Sequence, residues 1–324
     1  MKVAIIGCGL IGLKRVKALG KHQLVVACDS DIKRAQNICS VAGSGNVVTD
    51  WEEAAGYPEA DIVIISTTND MLAPISLLAA QAGKHVLVEK PAAKNFREIE
   101  GVIRAARENR VMVKVGFNLR YHPALQKARE IVDSGKMGEL MFLRGRYGHG
   151  GRVGYDNEWR ADPAISGGGE LIDQGVHLID LSRWFLGEFE TICGFSHTYF
   201  WNMPVDDNSF LYLRTKKQQV AWLHVSCTEW KNLFSLEIYG KLGKIQIDGL
   251  GGSYGTEKLI LYQMLPQMGP PEVTCWEYPD EDGSWDSEFK AFIEAINMGT
   301  PLNGDINDAY EALKIVDKIY KSVN

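Results

Sequence analysis

The chain has 324 residues, of which 45% are hydrophobic and 23% charged, and its formal net charge is −6. This length exceeds what one hydrophobic core usually organises, so we expect two domains, residues 1–120 and 121–324. The negative charge gives no global attraction to nucleic acid or to an anionic membrane. No apolar run approaches the roughly 18 residues of a membrane span. We therefore predict a small-molecule partner.

The compartment and the metal content follow from two negative patterns. Met1 and Lys2 lead into a short apolar run and a glycine cluster, which is too brief for the core of a signal peptide. The six cysteines form no Cys-x-x-Cys pair, and the seven histidines show no paired ligand spacing. We expect a cytoplasmic protein with reduced thiols and no metal site.

Residues 2 to 117 alternate between short apolar runs and helical patterns. The predicted strands are Lys2–Ile6, Leu24–Cys28, Asp61–Ser66, His85–Val88 and Val111–Phe117. The predicted helices between them are Leu10–Leu19, Ile32–Val41, Ala73–Ala82 and Phe96–Glu108. This alternation predicts an α/β domain with a doubly wound parallel sheet.

The pattern changes after about residue 121. The predicted helices there are Pro123–Ser134, Leu171–Leu186, Trp285–Asn297 and Ile306–Ser322. The predicted strands are Leu140–Tyr147, Thr191–Phe200, Phe210–Arg214, Ala221–Cys227, Leu236–Tyr239 and Lys244–Ile247. Consecutive strands without helices between them indicate a mostly antiparallel sheet, so the second half is predicted to be an α+β domain. We expect the last helix to pack back on the first domain.

The first predicted strand runs into Gly7-Cys8-Gly9-Leu10-Ile11-Gly12, which opens the first predicted helix. In this strand–turn–helix context, the spacing is that of a dinucleotide-binding turn. Gly7 permits the tight turn, Gly9 lets a pyrophosphate approach, and Gly12 allows close packing of helix on sheet. The N–H groups of Leu10 and Ile11 lie at the helix N-terminus, which attracts phosphate. The alternative is a glycine turn that binds nothing.

Asp29 ends the second predicted strand, about twenty residues after the turn, where a carboxylate accepts hydrogen bonds from an adenosine ribose. Its charge repels a 2′-phosphate and favours NAD over NADP, although nearby Lys33 and Arg34 soften that preference.

Lys90 follows Glu89 and precedes Pro91 at the end of a predicted strand. Ligands of doubly wound sheets bind at the carboxyl ends of the strands, so Lys90 is a site candidate. The alternative is a solvated loop lysine.

Asp173, His177 and Asp180 stand at positions i, i+4 and i+7 of a predicted helix, after the glycines 167–169. This spacing places the three ionisable side chains on one helix face. A histidine titrates near neutral pH, and a carboxylate one turn away orients it for proton transfer. A surface salt-bridge pair is the alternative.

These motifs together resemble the Gfo/Idh/MocA family of glucose-fructose oxidoreductase, inositol dehydrogenase and rhizopine-catabolism proteins. The resemblance rests on the glycine turn, residues 82–91 and the segment from Gly167 to Asp180, and it covers essentially the whole chain. It implies a Rossmann domain, an open-faced sheet domain that often serves oligomerisation, and a catalytic group of Lys90, Asp173 and His177. We accordingly expect a homodimer or homotetramer.

Residues 66–72 depart from the family pattern, which more often has Thr-Pro-Asn followed by a histidine. We list Ser66, Thr67 and Asn69 there as cofactor contacts, together with Glu89 and Lys90.

Substrate contacts are predicted from two further segments. Asn118, Arg120 and Tyr121 follow the last strand of the first domain, with hinge packing as the alternative. Arg152, in the glycine-rich stretch 144–152, and Arg160 after it suit a diphosphate or carboxylate. The alternative there is a solvated basic loop. Trp201, Trp222 and Trp230 suit stacking on a sugar, although scattered tryptophans more often belong to a core.

The favoured function is an NAD-dependent dehydrogenase acting on a secondary ring hydroxyl of a sugar, sugar nucleotide or cyclitol. His177 takes the hydroxyl proton, Lys90 polarises the same oxygen, and Asp173 orients the base or the substrate. Two alternatives stay open, namely an NAD-dependent redox glycosidase and a non-catalytic sensor that binds dinucleotide.

Overall fold

The structure, a computed structural model, describes residues 1–322. The chain divides into two compact units. The first unit contains residues 1–118, 164–167 and 285–314, and the second contains residues 119–163, 168–284 and the chain from residue 315 onward. The first unit is thus assembled from three stretches of chain, whereas the sequence predicted one division near residue 120.

The first unit contains a six-stranded parallel sheet with strand order β3-β2-β1-β4-β5-β6. Its strands are β1 (Lys2–Ile6), β2 (Gln23–Cys28), β3 (Asn46–Val48), β4 (Ile62–Ile65), β5 (His85–Val88) and β6 (Val113–Val115). The helices between them are α1 (Leu10–Lys17), α2 (Ile32–Ala42), α3 (Trp51–Ala55), α4 (Asn69–Gln81) and α5 (Phe96–Glu108). Strand β4 is apolar and buried throughout, as expected for a sheet with helices on both faces. The predicted doubly wound α/β domain is confirmed.

Two details of this unit differ from the prediction. The sequence pattern gave no signal for β3 and α3, which are only three and five residues long. Helix α4 starts at Asn69 rather than Ala73. The prediction placed Pro74 in the first turn, where proline is favoured, but the helix accommodates Pro74 in its interior.

The second unit contains an eight-stranded sheet with order β14-β13-β12-β11-β7-β10-β9-β8. Its strands are β7 (Leu140–Gly148), β8 (Phe189–His197), β9 (Asn208–Thr215), β10 (Val220–Ser226), β11 (Leu233–Gly240), β12 (Gly243–Asp248), β13 (Glu257–Gln263) and β14 (Glu272–Tyr278). All neighbours are antiparallel except β7 and β10, which are parallel. The predicted, largely antiparallel α+β domain is confirmed, although β13 and β14 were not predicted.

One face of this sheet is covered by helix. Helix α6 (Pro123–Asp133) precedes the sheet, a short helix α7 (Pro163–Ser166) follows β7 along the chain, and α8 (Val176–Leu186) is almost entirely buried. Leu178 of α8 packs against Gly145 of β7, where an added Cβ would lie 3.2 Å from the leucine side chain. The predicted helix Leu171–Leu186 is continuous only from Val176, because Leu171–Gly175 forms a π-helical turn.

The chain returns to the first unit after the second sheet. Helix α9 (Ser284–Met298) places Phe289, Phe292 and Ile293 in the core that includes Val3 of β1. Helix α10 (Ile306–Ser322) is divided, with residues 306–314 in the first unit and the following residues in the second. Besides the first part of the predicted last helix, the first unit thus also contains α9, which supplies the aromatic residues of that core.

Candidate functional site

The glycine turn after β1 is shaped by contacts that only glycine permits. Gly7 has a φ of 90°, and a Cβ there would lie 2.5 Å from the carbonyl group of Ser66. A Cβ on Gly12 would lie 2.2 Å from the carbonyl oxygen of Gly7. At Gly9, by contrast, a Cβ would meet nothing within 4 Å. The turn is therefore tight on one side and open to a ligand at Gly9.

Helix α1 begins directly after this turn. Its N-cap is Gly9, which has no side chain to accept a hydrogen bond from the first N–H groups of the helix. Its first residue, Leu10, is 74% exposed, and Ile11 is partly exposed. The N–H groups of a first helical turn have no intrahelical partner and carry the positive end of the helix dipole. These features suit a phosphate at this end of α1.

Asp29 lies beside the glycine turn. Its Oδ2 accepts a hydrogen bond from the Cys8 N–H at 2.7 Å, and its Oδ1 accepts one from the Asp31 N–H at 2.9 Å. These bonds fix the carboxylate next to the turn. Arg34, which the sequence offered to a 2′-phosphate, lies 3.6 Å from the Asp31 carboxylate. The local charges therefore favour NAD.

Ser66, Thr67 and Asn69, which were predicted to contact the cofactor, each donate a side-chain hydrogen bond to a backbone carbonyl group. Ser66 Oγ donates to the Gly7 carbonyl at 2.7 Å, and Thr67 Oγ1 donates to the next carbonyl at 3.2 Å. Asn69 is buried, and its Nδ2 donates to the carbonyl of Ser166 at 2.8 Å. A contact of these residues with the nicotinamide stays a prediction.

The strand end that carries Lys90 rests on buried charges. Arg15 Nε donates to Glu89 Oε1 at 2.7 Å, and Arg15 Nη1 donates to Glu288 Oε2 at 2.7 Å. Lys114 Nζ lies 3.4 Å from Glu288 Oε1. All four side chains are buried, and burial raises the pKa of Glu89 while Arg15 opposes that rise. The carboxylate of Glu89 thus faces Arg15, and the predicted contact of Glu89 with the cofactor stays a prediction.

Lys90 itself lies at the carboxyl edge of the parallel sheet, immediately after β5, and is partly exposed. A cis peptide bond joins it to Pro91. The backbone then turns back, because the Ala92 N–H donates to the Glu89 carbonyl at 2.9 Å. This is the strand-end position that the sequence predicted for Lys90.

Asp173 and His177 lie on consecutive turns of different type. Asp173 belongs to the π-helical turn, and His177 is the second residue of α8. Arg160 Nε donates to Asp173 Oδ2 at 3.0 Å. His177 is 5% exposed, and its ring lies 5.9 Å from that of Tyr147 in an edge-to-face arrangement. Turns of this type are frequent at functional sites.

Asp180 forms a buried ion pair with Arg120. Arg120 donates to both carboxylate oxygens, at 2.8 Å and 2.6 Å, and both residues are buried. Such a bidentate pair satisfies the planar guanidinium group within the protein. This pair lies inside the second unit, and a contact of Arg120 with the substrate stays a prediction.

The other predicted substrate residues are placed as follows. Asn118 is buried, and Tyr121 is partly exposed. Arg152 pairs with both oxygens of Glu158 at 2.7 Å and 2.6 Å, and Arg160 pairs with Asp173. The two arginines that the sequence offered to a diphosphate thus face carboxylates of their own unit.

Two of the three singled-out tryptophans are surface residues. Trp222 on β10 is 56% exposed, and Trp230 in the following loop is 72% exposed. Trp201 is held by its indole N–H, which donates to the Cys227 carbonyl at 3.0 Å. The expectation that the tryptophans belong to a core is wrong for Trp222 and Trp230.

Within residues 1–322, no group of three histidine, cysteine, aspartate or glutamate side chains is arranged to hold a metal ion. Over the same range, the helices are too short or too polar to cross a membrane.

Two family models match this chain. A model described as the oxidoreductase family, NAD-binding Rossmann fold, matches residues 1–117, and a model of the GFO/IDH/MocA C-terminal domain matches residues 125–246. Together they cover more than half of the chain. The chain belongs to the Gfo/Idh/MocA family. Residues 1–117 are the NAD-binding Rossmann domain of that oxidoreductase family.

Relatives within the Gfo/Idh/MocA family carry dehydrogenase names. Levoglucosan dehydrogenase of Pseudarthrobacter phenanthrenivorans is 31% identical over 165 residues, which is 50% of this chain and 42% of that protein. Inositol 2-dehydrogenase of Salmonella typhimurium is 25% identical over 337 residues, with 99% of this chain and 94% of that protein covered. The first match spans less than half of its relative's length, whereas the second spans nearly all.

A solved structure of levoglucosan dehydrogenase in complex with NADH has the same fold. Its TM-score is 0.89 at 23% identity, and the match covers 99% of this chain and 96% of that chain. Both units of the Gfo/Idh/MocA chain therefore follow a known two-part architecture.

Sequence reasoning missed a group of polar side chains around the predicted base in the second unit. The ring of Tyr147 lies 5.6 Å from that of Tyr254, and burial raises the pKa of both hydroxyls, to about 12 for Tyr254. His149 lies 5.3 Å from Tyr155, ring to ring, and its Nε2 is 3.7 Å from Glu170. The residues come from separate elements, so no spacing rule joins them. The one available signal is Glu170, an acid three residues before Asp173 in the segment that leads into the predicted helix.

Proposed function

We propose that this protein is an NAD-dependent dehydrogenase that oxidises a secondary ring hydroxyl of a sugar or cyclitol. His177 is assigned as general base, Lys90 as the group that polarises the substrate oxygen, and Asp173 as the group that orients the base or the substrate. The family match and the dehydrogenase names of the relatives support the reaction class.

The arrangement of Asp173 carries this proposal. Asp173 lies on a π-helical turn that leads directly into the helix of His177, and Arg160 holds its carboxylate at 3.0 Å. A carboxylate fixed in this way keeps one orientation without a substrate, which is the preorganisation that a catalytic group needs. His177, mostly buried beside Tyr147, is screened from bulk water.

The residues of the first unit fit the dinucleotide. The open side of Gly9, the uncapped start of α1 and the fixed carboxylate of Asp29 suit a pyrophosphate and a ribose. When bound, NAD supplies the hydride acceptor that the reaction requires. Gly7, Gly9 and Asp29 are therefore assigned to its binding.

The protein's own groups handle the proton. His177 accepts the proton of the substrate hydroxyl, and the lysine ammonium of Lys90 stabilises the negative charge that develops on the same oxygen. Tyr147 and Tyr254 stay protonated at neutral pH because burial raises the pKa of both. They provide neutral hydroxyl groups in the same unit as the base.

A neutral polyol is favoured over a nucleotide sugar as substrate. Arg152 is bound to Glu158, Arg160 to Asp173, and Arg144 lies 2.6 Å from Glu237. An arginine already paired must give up that carboxylate to bind a diphosphate, which costs free energy. The free sugars and cyclitols are therefore the first compounds to test.

The test is NADH formation, followed by absorbance, with a panel of sugars, cyclitols and nucleotide sugars, and with NAD and NADP in parallel. We expect His177→Ala to lower kcat by about 10²–10⁴-fold, the usual contribution of a general base. The matched control is His197→Ala, which removes an exposed histidine from β8.

The outcomes separate the three functions. Substrate-dependent NADH formation that is lost in His177→Ala and kept in His197→Ala supports the dehydrogenase. Cleavage of an aryl glycoside without net NADH would replace it with the redox glycosidase. Dinucleotide binding without turnover of any compound would replace it with the sensor. A cytoplasmic location stays a prediction of the sequence.

A further inference from the structure

Four buried charges join four elements of the first unit. Arg15 lies on α1, Glu89 directly follows β5, Lys114 lies on β6 and Glu288 lies on α9. Arg15 bonds both glutamates. The Nζ of Lys114 lies near Glu288 and donates a hydrogen bond to the carbonyl of Asn303 at 2.7 Å. We call these four side chains the buried ion network. Its two cations and two carboxylates balance in charge.

Such a network is not explained by stability alone. Transfer of an ion from water into a protein interior costs several kcal/mol, and well-packed apolar residues often replace a buried ion pair without loss of stability. Arg15 and Lys114 are 1% and 0% exposed. An ion network at this depth is better explained by the geometry that it imposes on neighbouring groups.

The Arg15–Glu89 half of the network lies between two functional elements. Arg15 is three residues after Gly12 of the dinucleotide turn, and Glu89 directly precedes Lys90. Space around the pair is tight, since a Cβ on Gly116 would lie 2.8 Å from Arg15 Nη2 and 2.9 Å from Glu89 Oε2. The Trp285 ring covers Arg15, with 4.5 Å between the guanidinium carbon and the ring centre.

We propose that Arg15 and Glu89 are positioning residues that fix the backbone at Lys90 relative to the dinucleotide-binding turn. The proposal rests on the proposed function, in which Lys90 polarises the substrate oxygen. Lys114 and Glu288 form the other half of the network, and Glu288 touches the first half through Arg15 Nη1, a hydrogen bond that the side-chain oxygen of a glutamine can still accept. They supply a control of the same chemistry.

The test compares two double variants that each remove one cation and one carboxylate. Arg15→Met with Glu89→Gln removes the pair beside Lys90, and Lys114→Met with Glu288→Gln removes the other pair. Each variant leaves the remaining buried charges balanced, so neither contains an unpaired buried ion. Thermal unfolding checks that both variants fold.

We expect kcat of the Arg15/Glu89 variant to fall by about 10²-fold, the loss that a displacement near 1 Å causes. The Lys114/Glu288 variant should stay within a few-fold of the wild type. Arg15→Lys keeps the charge and should recover most of the loss. Equal losses in both double variants would mean a purely structural role and would overturn the proposal.

A second readout does not depend on turnover. Acylation of Lys90 by an N-hydroxysuccinimide ester, measured by peptide mass spectrometry, reports the accessibility and reactivity of that amine. Its rate should change in the Arg15/Glu89 variant and in Gly116→Ala, which pushes on the pair without changing charge, but not in the Lys114/Glu288 variant. An unchanged rate would overturn the proposal even if no substrate is found, whereas an inactive wild type would overturn only the proposed function.

Discussion

His85 illustrates how burial sets the charge of a single side chain. Its Nδ1 accepts a hydrogen bond from the Met112 N–H at 3.0 Å, which requires an unprotonated nitrogen. Burial lowers the pKa of His85 below its ordinary value of 6.5, and the charge of Asp61 only partly opposes this. The folded protein therefore holds His85 neutral at a pH where the unfolded chain binds a proton.

This difference predicts acid sensitivity. Below pH 6.5 the unfolded chain binds more protons than the folded protein, so the free energy of unfolding falls as the pH drops from 7 towards the folded pKa of His85. Urea unfolding between pH 7.5 and 5 measures the slope. His85→Asn keeps an acceptor for the Met112 N–H but does not titrate, so its slope should be smaller. An equal slope in wild type and variant would contradict the assignment.

The sequence predicted residue positions well where one local unit carries the whole signal. The three glycines and Asp29 belong to one strand–turn–helix unit, and each lies where that unit requires it. The ion pair of Arg120 was not predicted, because its partner, Asp180, is 60 residues away. Ion pairs between distant segments leave no local spacing by which a sequence can reveal them.

The segment that leads into the helix of His177 depends on one loop carboxylate. Asp206 accepts hydrogen bonds from the N–H groups of Gly169 and Leu171 at 3.0 Å and 2.8 Å. It also accepts the hydroxyl groups of Tyr320 at 2.7 Å and Ser209 at 2.9 Å. This buried acceptor therefore anchors the chain just before the π-helical turn of Asp173.

Asp206→Asn should destabilise the protein more than Ser209→Ala does. The asparagine amide replaces one acceptor oxygen with an NH₂ donor that faces other donors. Because hydrogen bonds to a charged group are lost, the free energy of unfolding should fall by about 2–4 kcal/mol. Ser209→Ala removes one of the four bonds and should cost about 1 kcal/mol. Thermal unfolding and kcat are measured together. If Asp206→Asn cost no more than Ser209→Ala, the anchoring role would be rejected.

Elements were predicted best where the apolar pattern was strong. β4 has no polar residue, whereas β14 is mostly exposed and mixes charged with apolar residues, so it resembles a loop in sequence. The π-helical turn at Leu171–Gly175 was missed for another reason. Its apolar residues also satisfy α-helical periodicity, and only backbone geometry distinguishes the two.

At the scale of the molecule, the least predictable feature was that residues 285–314, which follow the second sheet, belong to the first unit. Phe289, Phe292 and Ile293 of α9 complete a core whose other buried members come from the first third of the chain. An amphipathic helix shows that one face is buried but does not show against which unit. A division at a single sequence position therefore could not describe the first unit.

The outer face of the second sheet exposes large apolar side chains between charged ones. Phe195 of β8, Trp222 of β10 and Val273 of β14 are each more than one third exposed, and Arg144, which lies beside Trp222, pairs with Glu237. Aromatic residues and arginines are enriched at subunit interfaces. We propose that this face joins two copies of the chain, because a two-fold interface buries the same patch on both subunits.

Light scattering of the purified chain should give the mass of a dimer or a tetramer. Trp222→Lys places a positive charge on the outer face of the sheet. In a two-fold interface each subunit contributes the same substitution, so two added charges would lie in one interface. We therefore expect this variant to be a monomer. Trp230→Lys is the matched control, since this tryptophan is also exposed but lies in a loop outside the strands. A monomeric wild type, or dissociation by Trp230→Lys but not by Trp222→Lys, would exclude the sheet face as the interface. Dissociation by Trp222→Lys but not by Trp230→Lys would place the subunit contact on the strands, because the two variants carry the same charge and differ only in its position.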